Sequence, residues 1–327
     1  MHRRTFVSLI GGAGAAWAGS AFAQPAPLPI VGFVNNGSQK GFANLFAKFR
    51  QGLGDRGFIE GQTVGIEARW ADGRDDRLHD LISELVERRA SVIVATGGSR
   101  VSLVARAVTT SVPVVFVMGG DPVKLGLVKS LNKPASNLTG VSVLSNGLLA
   151  KQIAILHETI ARAATIGFLV RPANPNAEND IKSVTAASEA LGHRLVVAKA
   201  NSEAEIASAV AGLVQSGSEA LVIFPDVLFA SNVAELAKLA ESYKLPAIYN
   251  VVDFATAGGL LCYGADENDA YRQAGIYAAR ILKGEKPEEL PVMQSSRFEL
   301  VLNLKTAKAF GMSPSPTLLA TVDQVIE

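Results

Sequence analysis

Short runs of apolar residues alternate along the chain with segments whose apolar positions recur at helical spacing. The first run is Ile30 to Val34, and residues 42–53 behind it place their apolar side chains on one helical face. Further runs follow, among them VIVAT, VVFVM, TIGFLV and ALVIF. Continuous apolar runs separated by helices are typical of buried parallel strands. The pattern therefore predicts an α/β fold.

Two of these runs stop at a Gly-Gly turn, within the stretch from Ile93 to Pro122. The turns are Thr96-Gly97-Gly98-Ser99 and Gly119-Gly120-Asp121-Pro122, and a helical segment is predicted after each of them. In a parallel sheet such turns fall at the carboxyl ends of adjacent strands, where helix N-termini offer unpaired N–H groups to ligands. We therefore expect a site for a small anionic molecule at this edge.

From Asn146 the same pattern begins again, with a second array of strands and helices of similar size. This repetition predicts two Rossmann-like lobes, each a parallel sheet flanked by helices. The tail, from GGLLCYGAD onward, is long enough to serve both lobes, so we expect several crossovers that form a hinge. The expected boundaries are residues 30–145 plus 256–284 for lobe 1, and residues 146–255 plus 285–327 for lobe 2.

Residues 1–23 have the features of a signal peptide. A positive start precedes an apolar, Gly- and Ala-rich segment, and Ala21-Phe22-Ala23 forms an A-x-A cleavage site. The Arg3-Arg4 pair also fits a twin-arginine signal, so both export routes stay open. A Pro-rich leader, residues 24–29, comes next. We expect cleavage near Ala23 and a mature chain free in the periplasm.

Composition and charge exclude some classes of function. The chain has 327 residues and is 48% hydrophobic, which fits a two-domain α/β protein. Loss of Arg3 and Arg4 with the signal peptide lowers the 31 Lys and Arg to 29, against 30 Asp and Glu, so no basic surface for nucleic acid is indicated. The single cysteine, Cys262, lies in an apolar run and is predicted to be a buried thiol. The scattered histidines lack metal-site spacing, so we expect no metal and no cofactor.

The chain contains no P-loop, GxGxxG or GxSxG motif, and the predicted strand ends carry no histidine. They supply hydroxyls, amides, glycines and carboxylates, which suit a zwitterion: N–H donors and hydroxyls hold a carboxylate, and an aspartate holds an ammonium group. The candidate ligand-binding residues are Asn36, Ser38, Thr96, Gly97, Gly98, Ser99, Gly120, Asp121, Asn174, Asn176, Asp226, Tyr249 and Asp253.

Several of these candidates have a structural alternative. Asp121 precedes a proline at a predicted helix start and could equally cap that helix. Asn174 and Asn176 flank a proline and could build a turn, and the glycines could serve backbone geometry alone. Asp226 directly follows an all-apolar strand, which favours a ligand role. Tyr249 fits core packing as well as a pocket wall.

Longer motifs of the chain resemble the family of ABC transporter substrate-binding proteins that includes the tryptophan/tyrosine-binding proteins. They are spread over nearly all of the mature chain: IVGFVNNGS, FRQGLGDRGFIEGQ, VIVATGGS, VFVMGGDPVKLGLVKSL, NLTGVS, FLVRPANPNAE, PAIYN, YGADENDAYRQAGIYAARILKGEKPEELPV and ELVLNLKTAKAFG. The resemblance implies a type I periplasmic-binding-protein fold with three crossovers, no catalysis, and delivery of ligand to a membrane permease driven by an ATPase. Carried over, the cleft loops of the family fall on Asn36 and Ser38, Gly97 to Ser99, Gly119 to Asp121, Asn174 to Asn176, and Asp226.

Two departures from the family concern the side-chain end of the ligand. The aromatic amino-acid binders carry a Thr-Asp-Asn run where this chain has Phe224-Pro225-Asp226-Val227, and the segment Val251 to Phe254 also differs. Both an apolar or aromatic amino acid and an aromatic acid without the amine therefore stay open as ligands. We expect a monomeric periplasmic receptor; the alternatives are an exported α/β enzyme acting in the cleft and a ligand-sensing domain of a membrane receptor.

Overall fold

The computed structural model describes residues 27–160 and 164–327, so the expected signal peptide and residues 24–26 of the leader lie outside the described residues. The strands of the described part are β1 (Ile30–Asn35), β2 (Gly65–Trp70), β3 (Val92–Thr96), β4 (Val114–Met118), β5 (Leu138–Ser142), β6 (Thr165–Val170), β7 (Arg194–Lys199), β8 (Ala220–Ile223), β9 (Ala247–Tyr249), β10 (Leu261–Ala265), β11 (Met293–Gln294), β12 (Phe298–Asn303) and β13 (Gln324–Ile326).

The helices of the same residues flank these strands, and none of them combines the length and apolar character needed to cross a membrane. They are α1 (Ala43–Gly54), α2 (Leu78–Glu87), α3 (Ser99–Val108), α4 (Leu149–Thr159), α5 (Ala177–Ala190), α6 (Glu203–Gln215), α7 (Val227–Ser231), α8 (Val233–Ser242), α9 (Val252–Thr256), α10 (Glu267–Leu282), α11 (Leu304–Ala309) and α12 (Pro316–Thr321).

The strands form two separate sheets, one in each lobe, as the sequence predicts. The first sheet has the order β11-β5-β4-β3-β1-β2, and all its strands are parallel. The second has the order β13-β12-β10-β9-β8-β6-β7 and is parallel from β7 to β10. Strand β12 pairs antiparallel with β10, so the second sheet is mixed at that edge.

Three crossovers join the lobes and make the expected multi-crossover hinge. The chain passes from β5 to α4 through residues 143–148, from β10 to α10 at Asp266, and from β11 to β12 through residues 295–297. Residues that follow strands of both sheets line one cleft, so the carboxyl ends of the strands in the two sheets face each other.

The tail alternates between the lobes more often than the expected boundaries allow. Strand β10, which falls within the segment 256–284 expected in lobe 1, pairs with β9 and β12 of the second sheet. Helix α10, from the same segment, packs against α1 in the first lobe. Strand β11, from the segment expected in lobe 2, pairs with β5 of the first sheet. These boundaries were wrong because strand pairing, which local pattern does not report, decides the lobe.

The first lobe is held together by a close contact of two helices and by an aromatic cluster. A Cβ at Gly52 on α1 would collide with the carbonyl of Arg272 on α10, so a glycine lets the two backbones touch. Phe33 on β1 lies with its ring centroid 4.8 Å from Phe46 and 5.5 Å from Trp70. The aromatic stripe on α1 therefore packs on the sheet, as periodicity predicts.

Some helix predictions differ from the structure. The helical segment predicted after the turn Gly119-Gly120-Asp121-Pro122 does not form: residues 122–126 are turns, in keeping with Gly126 at a φ of 68°. The helical segment after β8 is divided, since α7 ends at Ser231 and α8 begins at Val233, with Asn232 between them. Helices α9, α11 and α12 had no counterpart in the sequence prediction, because five or six residues are too few to show a helical period.

Candidate ligand-binding cleft

A cleft of about 780 Å³, including space open to solvent, lies between the lobes. Its walls are the segments that follow the strands of both sheets, as in other open α/β folds. The first lobe contributes the residues after β1, β3 and β4, and the second those after β6, β8 and β9. The cleft is thus formed where the sequence places its small polar turns.

The start of α3 forms one wall of the cleft. Gly97 and Gly98 have φ angles of 80° and 109°, which other residues adopt only with strain. This turn aims the first N–H groups of α3 at the cleft, and no side chain caps the helix. An uncapped helix start carries partial positive charge and free N–H donors, so it suits a carboxylate.

A chain of charges crosses the cleft floor from one lobe to the other. Arg171, directly after β6, lies 3.2 Å from Asp75 of the first lobe and 3.5 Å from Asp226 of the second. Asn36 donates to Asp75 at 2.8 Å, and Asn174 donates to Asp226 at 2.7 Å. We call these five residues the Arg171 network; they link the lobes through a buried guanidinium.

Further contacts hold the two lobes together. Asn176 donates to the hydroxyl of Ser99 at 3.0 Å, and Arg100 donates to the carbonyl of Ala173 at 2.7 Å. Val227, from the second lobe, is buried in an apolar cluster of the first lobe. The structure therefore shows the lobes closed on each other. We call the hydrogen bond between Asn176 and Ser99, the first residue of α3, the Ser–Asn bridge.

Burial raises the pKa of Asp226, while Arg171, Asn174 and the N–H of Leu228 act in the opposite direction. Asp226 also caps α7, because its carboxylate accepts from Leu228 N–H at 2.8 Å. Both carboxylate oxygens are therefore occupied by protein donors. This leaves Asp226 less able to take a ligand ammonium group than its position at the strand end suggests.

Glu267, the first residue of α10, also lines the cleft. Burial, with the nearby charges of Asp253 and Asp266, raises the pKa of Glu267 to about 7. In the part of the chain that the structure describes, its carboxylate forms no hydrogen bond or ion pair. Two other cleft atoms, Oδ1 of Asn36 and Oδ1 of Asn250, are buried among described residues without a hydrogen-bond partner.

Eight of the thirteen predicted site residues line the cleft. They are Asn36, Gly97, Gly98, Ser99, Asn174, Asn176, Asp226 and Tyr249. Their meeting across two lobes follows from the strand-end positions that the sequence indicated. Tyr249 is fully buried, and its hydroxyl donates to the carbonyl of Asp226 at 3.1 Å. It therefore belongs both to the core of the second lobe and to the wall of the cleft.

Two predicted residues, Thr96 at the end of β3 and Ser38 after β1, form hydrogen bonds with nearby backbone groups. The hydroxyl of Thr96 is buried, accepts from Asn35 at 2.8 Å and donates to the carbonyl of Val34 at 3.2 Å. The hydroxyl of Ser38 accepts from the N–H of Gly41 at 3.2 Å. Neither residue lines the cleft.

Three further candidates also lie outside the lining. Asp121 accepts from the N–H groups of Val123 and Lys124, at 2.9 and 3.2 Å, so it stabilises the turn over residues 122–126 and caps no helix there. Gly120 lies behind the Ser–Asn bridge, where a Cβ would meet both side chains. Asp253 is exposed on α9.

Eight polar cleft residues were not among the predicted site residues: Asp75, Arg100, Ser145, Asn146, Arg171, Asn250, Glu267 and Tyr271. Arg171 and Asn250 directly follow buried strands, and Asp226 lies three residues after the end of one. The criterion that selected Asp226 from the sequence, a polar residue after an apolar run, therefore applies to Arg171 and Asn250 as well. Asp75 and Glu267 lie in helical segments, where a charged residue usually faces solvent. Only the fold brings these two to the cleft.

The cleft offers binding groups more than catalytic ones. None of His79, His157 and His193 lines it. Within residues 27–160 and 164–327, no three His, Cys, Asp or Glu side chains come together as metal ligands would. Cys262 is buried outside the lining, and burial raises the pKa of its thiol, so it lacks the exposure of a reactive cysteine.

The two lobes, the three crossovers and the cleft define a type I periplasmic-binding-protein fold. The family model for "ABC transporter substrate binding protein" matches residues 35–326, and the chain belongs to this family.

Three relatives agree with this assignment. A tyrosine-binding protein of Clostridioides difficile (strain R20291) is 25% identical over 264 residues, which are 81% of this chain and 75% of the relative. The ABC domain from Streptococcus pneumonia in complex with L-Trp has a TM-score of 0.82 at 24% identity, and the match covers 92% of this chain and all of that one. A conserved domain protein of Vibrio cholerae O1 biovar El Tor strain N16961 has a TM-score of 0.85 at 23% identity, over 91% of this chain and all of that one.

Proposed function

We propose that the protein is the solute-binding component of an ABC importer and that it captures an apolar or aromatic amino acid, or a similar small carboxylate, in the cleft. The observation that carries this proposal is the uncapped start of α3, which faces a cleft between two hinged lobes. Such a helix start binds a carboxylate through free N–H groups. The tyrosine-binding relative and the structure in complex with L-Trp support an amino acid as the ligand class.

The apolar part of the lining supports an apolar or aromatic ligand side chain. Phe42, Val117, Val143, Val227 and Tyr249 all contribute to the walls. Ligand pockets for small organic molecules combine such apolar walls with a few placed polar groups. The α3 start and the Arg171 network would then orient the charged end of the ligand, and the apolar residues would enclose its side chain.

In this mechanism the ligand stabilises the closed form. The ion pair of Arg171 with Asp75 and the Ser–Asn bridge join residues of opposite lobes, so they form only on closure. A ligand shifts the equilibrium between open and closed forms only through its higher affinity for the closed form. The closed protein would then present surfaces of both lobes to a permease driven by an ATPase, to which it delivers the ligand.

The proposed location is the periplasm, reached with the signal peptide of residues 1–23 and its cleavage near Ala23. Substrate-binding proteins of this family are generally exported, which supports that location. One relative named above is a tyrosine-binding protein and another structure holds L-Trp, which agrees with the expectation of no catalysis. We propose that the protein acts as a monomer.

A thermal-shift screen of the amino acids and of aromatic acids without the amine tests the proposed function. A ligand at about 100 times its Kd adds about 2.7 kcal/mol to the free energy of unfolding, which raises the melting temperature by several degrees. Calorimetry then gives the affinity of each ligand that raises the midpoint. If no amino acid or aromatic acid raises the midpoint, the proposal is wrong.

Two further measurements separate the alternatives. Recovery of unchanged ligand by NMR after long incubation is expected for a binding protein, whereas conversion would show an exported enzyme. Stimulation of ATP hydrolysis by the ligand-loaded protein, in vesicles that hold a candidate permease and its ATPase, is expected for an importer. A ligand-sensing domain would leave that hydrolysis unchanged.

A further inference from the structure

Glu267 stands apart from the other charged groups of the cleft. It is the first residue of α10, directly after the second crossover, and it lines the cleft. Helix capping does not need it, because the side chain of Asp266 accepts from Asp269 N–H at 3.2 Å and caps α10. Glu267 is half-buried, and its carboxylate has no assigned structural task.

The other charges of the cleft already have partners. Arg171 lies between Asp75 and Asp226, and Arg100 lies 3.9 Å from Asp75. The two guanidinium groups therefore balance the two aspartates. Glu267 is the acid that remains, and desolvated acids are costly unless a cation joins them.

The groups that influence Glu267 include no cation. Asp253 on α9 and Asp266 beside it are both acidic, and they add to the effect of burial. Burial raises the pKa of the phenols of Tyr249 on β9 and Tyr271 on α10, and the nearby charge of Glu267 adds to this effect in both. Among the described residues, nothing therefore supplies the positive charge that would stabilise an ionised Glu267.

Asn250 gives a second, independent sign of a donor in this part of the cleft. It is only 6% exposed, it lines the cleft, and its Oδ1 has no hydrogen-bond partner among the described residues. It follows β9, the strand that pairs with β10, and its backbone touches Gly264, three residues before Glu267. An unpartnered acceptor that is buried this deeply costs free energy unless a ligand donates to it.

Glu267 and the start of α3 line the same cleft. Tyr271 lies one turn further along α10, and its phenol oxygen accepts from Asn35 of β1 at 3.2 Å. Asn35 also donates to Thr96, the residue before Gly97, so the side chains of Tyr271 and Asn35 connect α10 to the segment that begins α3. An α-amino acid carries its carboxylate and its ammonium group on the same carbon, so its binding groups must lie in the same part of the cleft.

We propose that Glu267, with Oδ1 of Asn250, holds the ammonium group of the ligand and makes the cleft select α-amino acids over the same acids without the amine. This inference rests on the proposed function, in which the start of α3 holds the carboxylate. It also reassigns the ammonium group from Asp226, whose oxygens are taken by protein donors. Glu267 is therefore the specificity-determining residue.

The test compares two ligand pairs by calorimetry at about pH 8, where a group with a pKa of about 7 is ionised. The amino acids are L-tryptophan and L-tyrosine, and their partners without the amine are indole-3-propionate and 3-(4-hydroxyphenyl)propionate. In the wild-type protein we expect tighter binding of the amino acid in at least one pair. In E267Q we expect that affinity to fall about tenfold or more, because a hydrogen bond between charged groups is lost.

The matched control is D253N, which removes an exposed charge near Glu267 that does not line the cleft. We expect D253N to leave the affinity for the amino acid within about threefold, as for most exposed charges. The acids without the amine should bind to E267Q within about threefold of the wild-type affinity, since they make no contact with the ammonium subsite. A merely structural role of Glu267 would instead weaken both members of a pair.

Proton release gives a readout that does not need a folded variant. An ammonium group beside Glu267 lowers its pKa, so the wild-type protein should release protons when an amino acid binds at about pH 7. Calorimetry in two buffers of different ionisation enthalpy measures this release. The affinity for the amino acid should also rise between about pH 6.5 and pH 8, and the affinity for its acid partner should not.

The outcomes distinguish failure of the proposed function from failure of the role of Glu267. If the wild-type protein binds neither member of either pair and no ligand of the thermal-shift screen, the proposed function is contradicted and this inference with it. If the wild type binds an amino acid but E267Q binds it equally tightly, or no proton is released, only the role of Glu267 is overturned. Equal wild-type affinity for an amino acid and its acid partner would also overturn it.

Discussion

The substitution D75N tests how the Arg171 network holds the lobes together. Asp75 is the point where the network enters the first lobe: it accepts from Arg171 of the second lobe at 3.2 Å and from Asn36 at 2.8 Å. Asparagine keeps the shape of the side chain and removes its charge. The ion pair of Arg171 with Asp226, which lies within the second lobe, stays in place.

The expected loss of stability of the closed form follows from the burial of the ion pair between Arg171 and Asp75. The side chains of Arg171 and Asp75 are 8% and 24% exposed, so solvent screens the pair only in part. A hydrogen bond that involves charged groups contributes about 1.5–3 kcal/mol. We expect the closed form of D75N to lose about 1–3 kcal/mol relative to the open form, which is roughly a 5- to 150-fold change in their ratio. The apparent ligand affinity should fall by a similar factor if the closed form is a minority without ligand.

Calorimetry of the tightest ligand measures this loss, and small-angle X-ray scattering reports the size of the ligand-free protein. D75N should bind more weakly and be no more compact than the wild type. The matched control is D76N, because Asp76 pairs with Arg74 on the surface of the first lobe, where both side chains are more than half exposed. D76N should change the affinity by less than about threefold. If D75N binds as tightly as D76N, the Arg171 network does not contribute to closure.

Two glycine substitutions test contacts that the structure makes specific. In G120A the new Cβ would lie within 3.0 Å of both side chains of the Ser–Asn bridge, so ligand affinity should fall by about tenfold without loss of the fold, whereas G147A, with open space around its Cβ, should bind normally. Unchanged affinity of G120A would mean that the bridge is dispensable. In G52A the new Cβ would collide with the backbone of Arg272, so thermal unfolding should show a loss of at least about 1–3 kcal/mol, whereas G54A has open space and should be neutral or slightly stabilising. Equal melting temperatures of these two variants would contradict the close contact of α1 with α10.

The sequence predicts the residues at strand ends well. Gly97, Gly98, Ser99, Asn174 and Asn176 all line the cleft, because an apolar run that stops at small polar residues marks the end of a buried strand. The carboxyl ends of parallel strands meet at one edge of a sheet, so the fold class alone brings such residues together.

The sequence cannot report contacts between distant segments. Asp75 and Arg171 are 96 residues apart and belong to different lobes, and their ion pair depends on closure of the hinge. Glu267 lies at the start of a long amphipathic helix, where periodicity predicts a solvated charge. The strand β10 was assigned to the wrong lobe for the same reason, because its partners β9 and β12 are identified only by pairing.

A crystal structure of the protein grown with the amino acid that gives the largest thermal shift tests the central claim most directly. We predict that the ligand lies between the lobes, with its carboxylate at the first N–H groups of α3 and its side chain against the apolar wall. A ligand bound elsewhere on the molecule, or a cleft closed without it, would contradict capture by the two lobes.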